Sequence, residues 1–471
     1  MSLQRPEDQD IVIVGTTGDL ARRKLLPALY NLFVADLLPA RGLIIGYART
    51  EWTDDQFREA TAAAVQEFSR TGFDAKAWSA FAQRLSYVAA GLGGLTEVKR
   101  RCTQPARLVH LAVAPSLFAP TARSLSEEGM GQRTRLVVEK PFGHDVESSR
   151  ELERALHEVF DESQIFRIDH YLGKETVQNI LVFRFGNSAF ERLWNRDAID
   201  HVQVTVAESS GIEERGSFYE ETGALRDMIQ NHVFQVLSLL AMEPPASFEP
   251  EAIRDEKAKL LDAMQPLQPA KVVRGQYTRG RIDSEEVAGY REEEGVSPHS
   301  STETFVALQL HIDNWRWAGV PFFLRTGKRL PRRATEIEIA FRDVPVHFFH
   351  GTGVTELLPN HVTLCIQPDE SITFAFLAKV PGPEISVQPV HMEFSYGESF
   401  MVQPAEAYER LLHDALGGDH TLFARADGVD RCWAVVQPVL DATPPVRPYP
   451  AGTWGPPEAD ELIAPRKWHV R

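Results

Sequence analysis

The first apolar run of the chain ends in a glycine-rich turn, and this turn constrains the fold more than any other feature. Residues 11–14 are apolar, and the next seven have the sequence GTTGDLA before a helical pattern begins. This is a variant of the dinucleotide-binding fingerprint, in which small residues let the backbone approach a pyrophosphate at a helix N-terminus. We therefore predict a Rossmann-like domain whose cofactor-binding residues include Gly15, Thr17, Gly18, Asp19 and Leu20.

The end of the predicted second strand distinguishes between the two nicotinamide cofactors. Enzymes that use NAD usually place an acid there for the ribose hydroxyls, but this chain has GYART at 46–50. The guanidinium of Arg49 can pair with a 2′-phosphate and stack on adenine, which favours NADP. Glu51 leaves weaker use of NAD open, because its carboxylate could contact a ribose hydroxyl. The basic run at 22–24 is interpreted as a solvated helix face.

The hydrophobic pattern predicts two kinds of sheet. Apolar runs without alternation lie at 11–14, 43–46, 108–112 and 136–138, as in a parallel sheet with crossover helices. Apolar and polar residues alternate at 202–206, 305–312, 336–341, 362–366 and 372–376, which predicts an antiparallel sheet with one polar face. We predict an α/β, Rossmann-like NADP-binding domain over residues 1–172. A larger α+β domain over 173–471 would have a big antiparallel sheet with helices on one face, and would bind substrate and form oligomers.

The composition argues against several classes of function. A net charge of −16 makes nucleic acid an improbable partner, so a phosphate ligand would need a local group of basic residues. Three widely spaced cysteines without a CxxC pair predict neither a disulfide framework nor a metal site. The polar first ten residues and the absence of long apolar runs predict no signal peptide, no membrane segment and a cytoplasmic location.

Residues 167–175, with the sequence RIDHYLGKE, concentrate more polar chemistry than a core segment requires. Asp169 could orient a base, while His170, Tyr171 and Lys174 offer donors suited to a phosphate dianion. Lys174 also stands where a helix is predicted to begin, which favours an anion. The alternative is a solvated loop with an ordinary histidine and lysine.

A second polar group lies inside a helix predicted over 223–242. Its sequence RDMIQNH (226–232) ends in His232, which is either a catalytic base or a core histidine with a satisfied hydrogen bond. Asp227 is near in sequence, but five residues of α-helix would separate the two side chains by roughly 140° around the axis. We therefore expect Asp169 to orient His232, which leaves Asp227 for substrate hydroxyls.

Taken together, these motifs resemble the glucose-6-phosphate dehydrogenase family. The matching segments are GTTGDLARRKLLPALY (15–30), EKPFG (139–143), RIDHYLGKE (167–175), RDMIQNH (226–232) and NWRWAGVPFFLRTGK (314–328). The resemblance extends to YPAGTWGP at 449–456 and so covers essentially the whole chain. It implies hydride transfer from the anomeric carbon of glucose 6-phosphate to NADP, which gives 6-phosphogluconolactone in the first step of the oxidative pentose phosphate pathway.

The resemblance also implies roles for individual residues. His232 would be the general base, oriented by Asp169, and His170, Tyr171 and Lys174 would bind the sugar phosphate. The other implied substrate contacts are Glu208 and Asp227, as acceptors from sugar hydroxyls, with Lys140, Lys328, Arg333 and Gln367. Lys140 would lie between sugar and nicotinamide and so contact the cofactor too, and the proline after it is either a cis or a hinge proline.

The chain departs from the family where animal members hold a second, structural NADP. The equivalent positions are occupied by Ala334, Cys365, Thr373 and Ala375, which cannot supply the charge that this nucleotide requires. We therefore expect no second NADP. Apolar residues on the uncovered face of the predicted large sheet favour a homodimer or homotetramer, as the resemblance also implies.

Two other functions stay open on the sequence alone. A broader sugar oxidoreductase of similar two-domain build would not need the phosphate-binding residues. An NADP(H)-binding regulator, or an inactive paralogue, would not need a base. The presence together of His232, Asp169, Lys174 and the nucleotide turn argues against the second alternative.

Overall fold

A computed structural model describes residues 4–349, 352, 354, 356–400 and 405–470 of the chain. These residues form two compact units. The units comprise the described residues of Met1–Glu175, Pro245–Ala258 and Pro404–Asp430 in the first, and of Thr176–Pro244, Lys259–Gln403 and Arg431–Arg471 in the second. No helix within the described ranges is long and apolar enough to cross a membrane.

The strands and helices alternate in the first part of the chain, and strands dominate later. The strands are β1 (Asp10–Val14), β2 (Ile44–Ala48), β3 (Leu85–Ala89), β4 (Arg107–Leu111), β5 (Thr134–Val138), β6 (Ile165–Ile168), β7 (Ile199–Ala207), β8 (Val272–Thr278), β9 (Gly280–Ile282), β10 (Glu285–Val287), β11 (Phe305–Leu310), β12 (Phe322–Gly327), β13 (Ala334–Phe341), β14 (His361–Gln367), β15 (Ser371–Lys379), β16 (Val387–Ser395), β17 (Phe423–Ala424) and β18 (Val446–Pro450). The α-helices are α1 (Leu26–Val34), α2 (Asp54–Phe68), α3 (Ala75–Ala82), α4 (Leu95–Arg101), α5 (Phe118–Glu127), α6 (Val146–His157), α7 (Glu175–Phe185), α8 (Ser188–Glu191), α9 (Gly216–Ala224), α10 (Phe234–Ala241), α11 (Pro250–Ala263), α12 (Tyr396–Phe400), α13 (Ala407–Gly417), α14 (Ala426–Ala442) and α15 (Glu458–Ile463). Two segments, Ala21–Leu25 and Leu225–Val233, are π-helical.

The first unit is built on a seven-stranded sheet in the order β17-β6-β5-β4-β1-β2-β3. Every neighbouring pair is parallel except β17 with β6. The four strands predicted from apolar runs are found here as β1, β2, β4 and β5, and nearly all their residues are buried. This confirms the predicted Rossmann-like parallel sheet.

The first unit also contains residues that are distant in sequence. The predicted division at residue 172 assigns 245–258 and 405–430 to the second domain, whereas these residues pack within the first unit. Strand β17 extends the sheet beside β6, with Phe423 paired to Ile168. Helix α13 is tied down through Glu409, which accepts hydrogen bonds from Arg70 at 2.6 and 2.7 Å and from Asn31 at 2.9 Å.

The second unit is built on a nine-stranded sheet in the order β16-β15-β14-β13-β7-β12-β11-β8-β18. Neighbouring strands in this sheet are antiparallel, except that β7 is parallel to β12 and β8 is parallel to β18. This confirms the large, mostly antiparallel sheet that the alternating pattern predicts. The polar face is not solvated, however: Gln203, Arg325 and Glu336 are all at most 4 % exposed. The segment 466–470 lies against this face, since the N–H of His469 donates to Gln203 Oε1 at 2.9 Å.

The sequence of two segments predicts surface loops, because 443–457 is rich in Pro and Gly and 283–301 is acidic and contains Gly. Both segments are partly structural. The stretch 443–457, predicted to lie extended on the surface, contributes β18 to the large sheet and buries Tyr449 completely. Its prolines are tolerated because β18 is an edge strand. The stretch 283–301, predicted as a mobile loop, contains β10 and the fully buried Tyr290.

Candidate active site

The turn after β1 has the geometry that the nucleotide-binding pattern predicts. Gly15 has a φ of +87°, and a Cβ there would lie 2.2 Å from the carbonyl oxygen of Ala112, so only glycine fits. The N–H of Gly18 donates to the carbonyl of Gly15 at 3.0 Å, which closes the turn. A helical segment then begins at Asp19. Its first N–H groups, at Asp19 and Leu20, have no helical acceptors and suit a pyrophosphate.

Arg49 and Glu51 are exposed and directly follow β2. Between them, Thr50 Oγ1 donates to Thr17 Oγ1 at 3.3 Å, so this segment lies beside the nucleotide turn. The basic run at 22–24 is ion-paired with acidic side chains of the same unit, as its interpretation as a solvated helix face requires. Arg49 therefore offers a cation beside this turn that the ion pairs of the helix do not use.

Lys140 lies in the turn that follows β5. The Lys140–Pro141 peptide bond is cis, and the lysine side chain is half-buried. The preceding residue, Glu139, accepts a hydrogen bond from the hydroxyl of Tyr408 at 3.2 Å. Burial, and then the charge of Glu139, raise the pKa of Tyr408, so the phenol stays protonated and donates. This contact fixes the backbone immediately before Lys140.

The segment predicted to bind phosphate follows β6 directly. Asp169 is buried, and its Oδ1 accepts the N–H of Tyr171 at 3.0 Å. The N–H of Lys174 donates to the carbonyl of Tyr171 at 3.1 Å, and Lys174 Nζ lies 4.2 Å from the centre of the Tyr171 ring. Helix α7 begins at the next residue, as predicted. Asp169, His170, Tyr171 and Lys174 are thus held in one tight turn before a helix.

Arg167 anchors this turn, a role that sequence analysis did not assign. It is fully buried and bridges Glu153 and Glu162, with Nη1 2.8 Å from Glu162 Oε1. Burial disfavours the charged form of Glu162, but the charge and hydrogen bonds of Arg167 outweigh it and lower the pKa of that carboxyl. The buried ion pairs fix the strand from which Asp169 projects.

Four of the predicted substrate residues lie at the same end of four neighbouring central strands of the nine-stranded sheet. Glu208 and Lys328 follow β7 and β12, and Lys328 Nζ lies 2.5 Å from Glu208 Oε2. Arg333 precedes β13 and donates to Oε1 of Gln367, at the end of β14, at 2.9 Å. Because β7 pairs with both β12 and β13, the two side-chain pairs are neighbours.

His232 lies in the π-helical segment Leu225–Val233, which continues into α10. The N–H of Phe234 donates to the carbonyl of Ile229, an i→i−5 bond. The predicted helix exists, but the prediction of α-helical geometry is wrong here. Where i→i+5 bonds form, residues five apart lie nearly above one another, so Asp227 and His232 share one helix face. The angular argument against pairing them therefore fails.

Two buried residues that sequence analysis missed, Glu303 and Arg274, hold the start of this segment. Gly223, at a φ of +65°, is non-helical and kinks the chain within α9, just before this segment. The N–H of Leu225 then donates to Glu303 Oε1 at 3.1 Å. Glu303 in turn pairs with Arg274, with 2.6 Å between Oε2 and Nη2. A single charged residue within or beside a strand carries no sequence pattern that would have identified either member.

Tyr219 is a third residue that sequence analysis missed. It is buried, and Lys328 Nζ lies 5.3 Å from the centre of its ring. Burial, and then the charges of Asp227 and Glu208, raise the pKa of Tyr219 well above its ordinary value. The phenol therefore stays neutral. The charges of Asp227 and Glu208 both act on the Tyr219 hydroxyl, and Lys328 lies near its ring. These three predicted substrate residues therefore lie in one region of the second unit.

Comparison with known proteins identifies the family of both units. Residues 12–179 match the family described as "Glucose-6-phosphate dehydrogenase, NAD binding domain", and residues 181–469 match "Glucose-6-phosphate dehydrogenase, C-terminal domain". The chain is 44 % identical to a glucose-6-phosphate 1-dehydrogenase from Aggregatibacter actinomycetemcomitans, over 98 % of this chain and 96 % of the relative. It is 45 % identical to a glucose-6-phosphate 1-dehydrogenase from Mycolicibacterium smegmatis, over 98 % of this chain and 97 % of the relative.

Solved structures agree with the sequence comparison. A crystal structure of glucose-6-phosphate 1-dehydrogenase from Mycobacterium avium superposes with a TM-score of 0.89 at 40 % identity, over 99 % of each chain. A glucose-6-phosphate dehydrogenase in complex with its substrate glucose-6-phosphate superposes with a TM-score of 0.91 at 36 % identity, over 100 % of each. The chain therefore belongs to the glucose-6-phosphate dehydrogenase family.

Proposed function

We propose that this protein oxidises glucose 6-phosphate at the anomeric carbon to 6-phosphogluconolactone, with hydride transfer to NADP. The reaction is the first step of the oxidative pentose phosphate pathway. The observation that carries the proposal is the match of both family domains across nearly the whole chain, to relatives whose names state this activity. The nucleotide turn, the phosphate-binding segment and His232 are all present in it.

His232 is the proposed general base. It removes the proton of the anomeric hydroxyl, so that the electrons of the C1–H bond leave as hydride while C1–O becomes the lactone carbonyl. The oxidised nicotinamide, when bound, accepts that hydride. His232 is 1 % exposed, and such burial limits competition from water for the imidazole.

A carboxylate is expected to orient the imidazole of His232. We propose Asp169, of the first unit, because it is buried and held by its hydrogen bond to Tyr171 N–H. Asp227 is the competing candidate, since the π-helix places it on the same face as His232. In the proposed mechanism Asp227 instead accepts a hydrogen bond from a sugar hydroxyl.

Substrate recognition is assigned to both units. His170, Tyr171 and Lys174 supply donors to the phosphate dianion, and their turn precedes a helix whose N-terminus favours an anion. In the second unit, Glu208 accepts a hydrogen bond from a sugar hydroxyl, and Lys328, which pairs with Glu208, is a further substrate contact. The remaining contacts to substrate are assigned to Arg333, Gln367 and Lys140.

NADP is the proposed cofactor, with NAD used more weakly. The pyrophosphate is assigned to the turn formed by Gly15, Thr17, Gly18, Asp19 and Leu20, whose backbone fits it. Arg49 is assigned to the 2′-phosphate, and Lys140 to the nicotinamide side of the cofactor.

We also propose a homodimer or homotetramer that assembles without a second NADP. The edge strand β16 exposes Val390 and Met392, which are 37 % and 59 % accessible and would be covered by a second copy. Ala334, Cys365, Thr373 and Ala375 supply no charge for a structural nucleotide. Sedimentation of nucleotide-stripped protein should show the oligomer, and a monomer that assembles only with NADP would contradict both statements.

The activity is tested by absorbance at the reduced-nicotinamide band. Purified protein is mixed with NADP or NAD and with glucose 6-phosphate or glucose. NADP reduction with glucose 6-phosphate, and much slower reduction with glucose, is the expected result. Equal rates with both sugars would favour the broader sugar oxidoreductase. Cofactor binding without any reduction would favour the regulator.

A further inference from the structure

A second group of ligand-type side chains lies in the second unit, apart from the residues assigned to substrate. Glu338 of β13, His361 of β14 and His469 each offer one ligand atom, and these atoms all lie within 4.8 Å of one another. Nδ1 of His469 is 3.8 Å from Oε1 of Glu338. The two imidazole rings have centroids 5.0 Å apart. The three side chains therefore converge on a small common volume.

The sheet register explains this convergence. Glu338 pairs with Thr363 and lies two residues from the partner of His361, so Glu338 and His361 project from the same face of neighbouring strands. Gln203, the partner of Glu338 on β7, also lies on that face. Because Gln203 Oε1 accepts the N–H of His469, it holds this histidine against the same face.

The segment that carries this histidine is fixed independently of any ligand. Arg466 forms two hydrogen bonds to Asp200, at 2.7 and 2.9 Å. Trp468 Nε1 donates to the carbonyl of Ala459 at 2.9 Å, and the Trp468 ring lies 4.4 Å from the guanidinium carbon of Arg325. Little ordering is therefore required before a ligand can bind.

Glu338 supplies a separate indication of a ligand. The residue is only 9 % exposed, and its Oε2 is buried without a hydrogen-bond partner among the described residues. Burying a carboxylate oxygen in this way is unfavourable. Arg325 is a nearby cation, but no hydrogen bond or ion pair within the described ranges joins it to Glu338; its Nε donates to Thr205 Oγ1 at 3.0 Å. A cation held between the carboxylate and the imidazoles would balance the charge of this buried carboxylate.

We propose that Glu338, His361 and His469 bind one divalent transition-metal ion, with Zn²⁺ as the best fit, and that the ion adds a further link between the segment 466–470 and the sheet. Two imidazoles and a carboxylate, with a water as fourth ligand, are a zinc donor set, whereas Ca²⁺ and Mg²⁺ prefer oxygen ligands. Ligands of a tetrahedral zinc lie about 3.4 Å apart, so the side chains need to shift by roughly 1 Å.

A group of this kind in the first unit does not support a similar proposal. Glu153, His157 and Glu162 also bring their ligand atoms within 4.8 Å. Both carboxylates are already neutralised by the buried Arg167, however. A metal there would have to displace an ion pair, whereas in the Glu338 group one carboxylate oxygen has no hydrogen-bond partner within the described part of the chain.

The proposal is tested on the full chain after treatment with a chelator. ZnCl₂ is titrated by calorimetry, and Co²⁺ is added in parallel for its visible ligand-field spectrum. The variants are His469→Ala and the isosteric Glu338→Gln, each checked for folding by circular dichroism. His391→Ala is the matched control, because His391 is exposed on β16. Amide exchange of residues 466–470 is compared with and without Zn²⁺.

We expect one Zn²⁺ per chain, a tetrahedral Co²⁺ spectrum and slower exchange of 466–470 when the ion is bound. Both ligand variants should weaken Zn²⁺ binding by at least about a hundredfold, because loss of an outer contact alone typically costs 10–100-fold. The control should bind like the parent. Zn²⁺ binding that is absent from the parent, or unchanged in both folded ligand variants, would overturn the assignment.

Discussion

Replacing Glu303 with glutamine is expected to loosen the start of the helical segment that carries His232. Glu303 is 3 % exposed and Arg274 is 8 % exposed, and removing one partner of such a buried pair typically costs about 3–5 kcal/mol. Arg274 keeps two carbonyl acceptors, Pro444 at 2.6 Å and Ser301 at 3.1 Å. Glutamine can still accept the N–H of Leu225. We therefore expect the lower end of the range, about 3 kcal/mol.

Amide hydrogen exchange of peptides over 225–241 measures this loss locally. A change of about 3 kcal/mol lowers protection by roughly a hundredfold, since 1.4 kcal/mol corresponds to a factor of ten. Glu292→Gln is the control, because Glu292 pairs with Arg279 on the surface at 2.8 Å and should leave exchange unchanged. Adding Arg274→Met to Glu303→Gln should restore part of the protection, because it removes the unpaired buried charge.

The contrary results are equally specific. If Glu303→Gln exchanged as slowly as the control, the buried pair would not hold the helix start. If the double variant were as unprotected as the sum of the single variants, Glu303 and Arg274 would act independently.

The remaining predictions concern the proposed reaction and are read out by steady-state kinetics. His232→Asn should lower kcat by roughly a hundredfold or more, because a positioned base contributes that much, and near-parent turnover would exclude it as the base. Asp169→Asn should mainly lower kcat and Asp227→Asn should mainly raise KM, whereas the reverse pattern would make Asp227 the orienting carboxylate. Lys174→Ala should weaken the binding of glucose 6-phosphate far more than the binding of free glucose, and an equal loss of affinity for both sugars would place Lys174 away from the phosphate. Arg49→Ala should lower the affinity for NADP by about tenfold or more and leave the affinity for NAD nearly unchanged. An equal loss of affinity for both cofactors would mean that Arg49 stacks on adenine instead.

The sheets were predictable from the sequence because their signals are local. An apolar run such as 11–14 has no polar alternation when both faces of a strand are buried, and β1 is buried throughout. An alternating run such as 336–341 indicates a strand with two different faces, and it lies within β13. What alternation does not reveal is the cover over the polar face. Gln203 and Glu338 are buried because residues 466–470, far away in sequence, lie over them.

Elements placed by long-range pairing were not predictable. Strand β17 has only two residues, too few for a period, and joins the first sheet through its pairing with β6. Strand β18 contains two prolines, which favoured an extended surface segment over a strand. In both cases the deciding hydrogen bonds come from a partner strand more than 150 residues away, as Val446 paired with Arg274 shows.

The candidate site was predicted through motifs more than through physical patterns. The family resemblance supplied four of the substrate residues: Glu208, Lys328, Arg333 and Gln367. The structure adds that they form two adjacent side-chain pairs at one end of neighbouring central strands. Tyr219, whose ring lies near Lys328 of one of these pairs, stands in a helix with no distinguishing pattern. Its involvement follows only from the three-dimensional positions of the charges around it.

The π-helical segment around His232 shows where such reasoning reaches its limit. Hydrophobic periodicity identifies a helix, but one extra residue in a turn changes i→i+4 to i→i+5 bonding without disturbing the apolar pattern enough to be noticed. In an α-helix, Asp227 would point away from His232 by roughly 140°. In the observed segment the two share a face, so the same five-residue spacing brings a carboxylate toward the proposed base. The choice between Asp169 and Asp227 therefore depends on backbone geometry that no residue count supplies, and it becomes a question for kinetics.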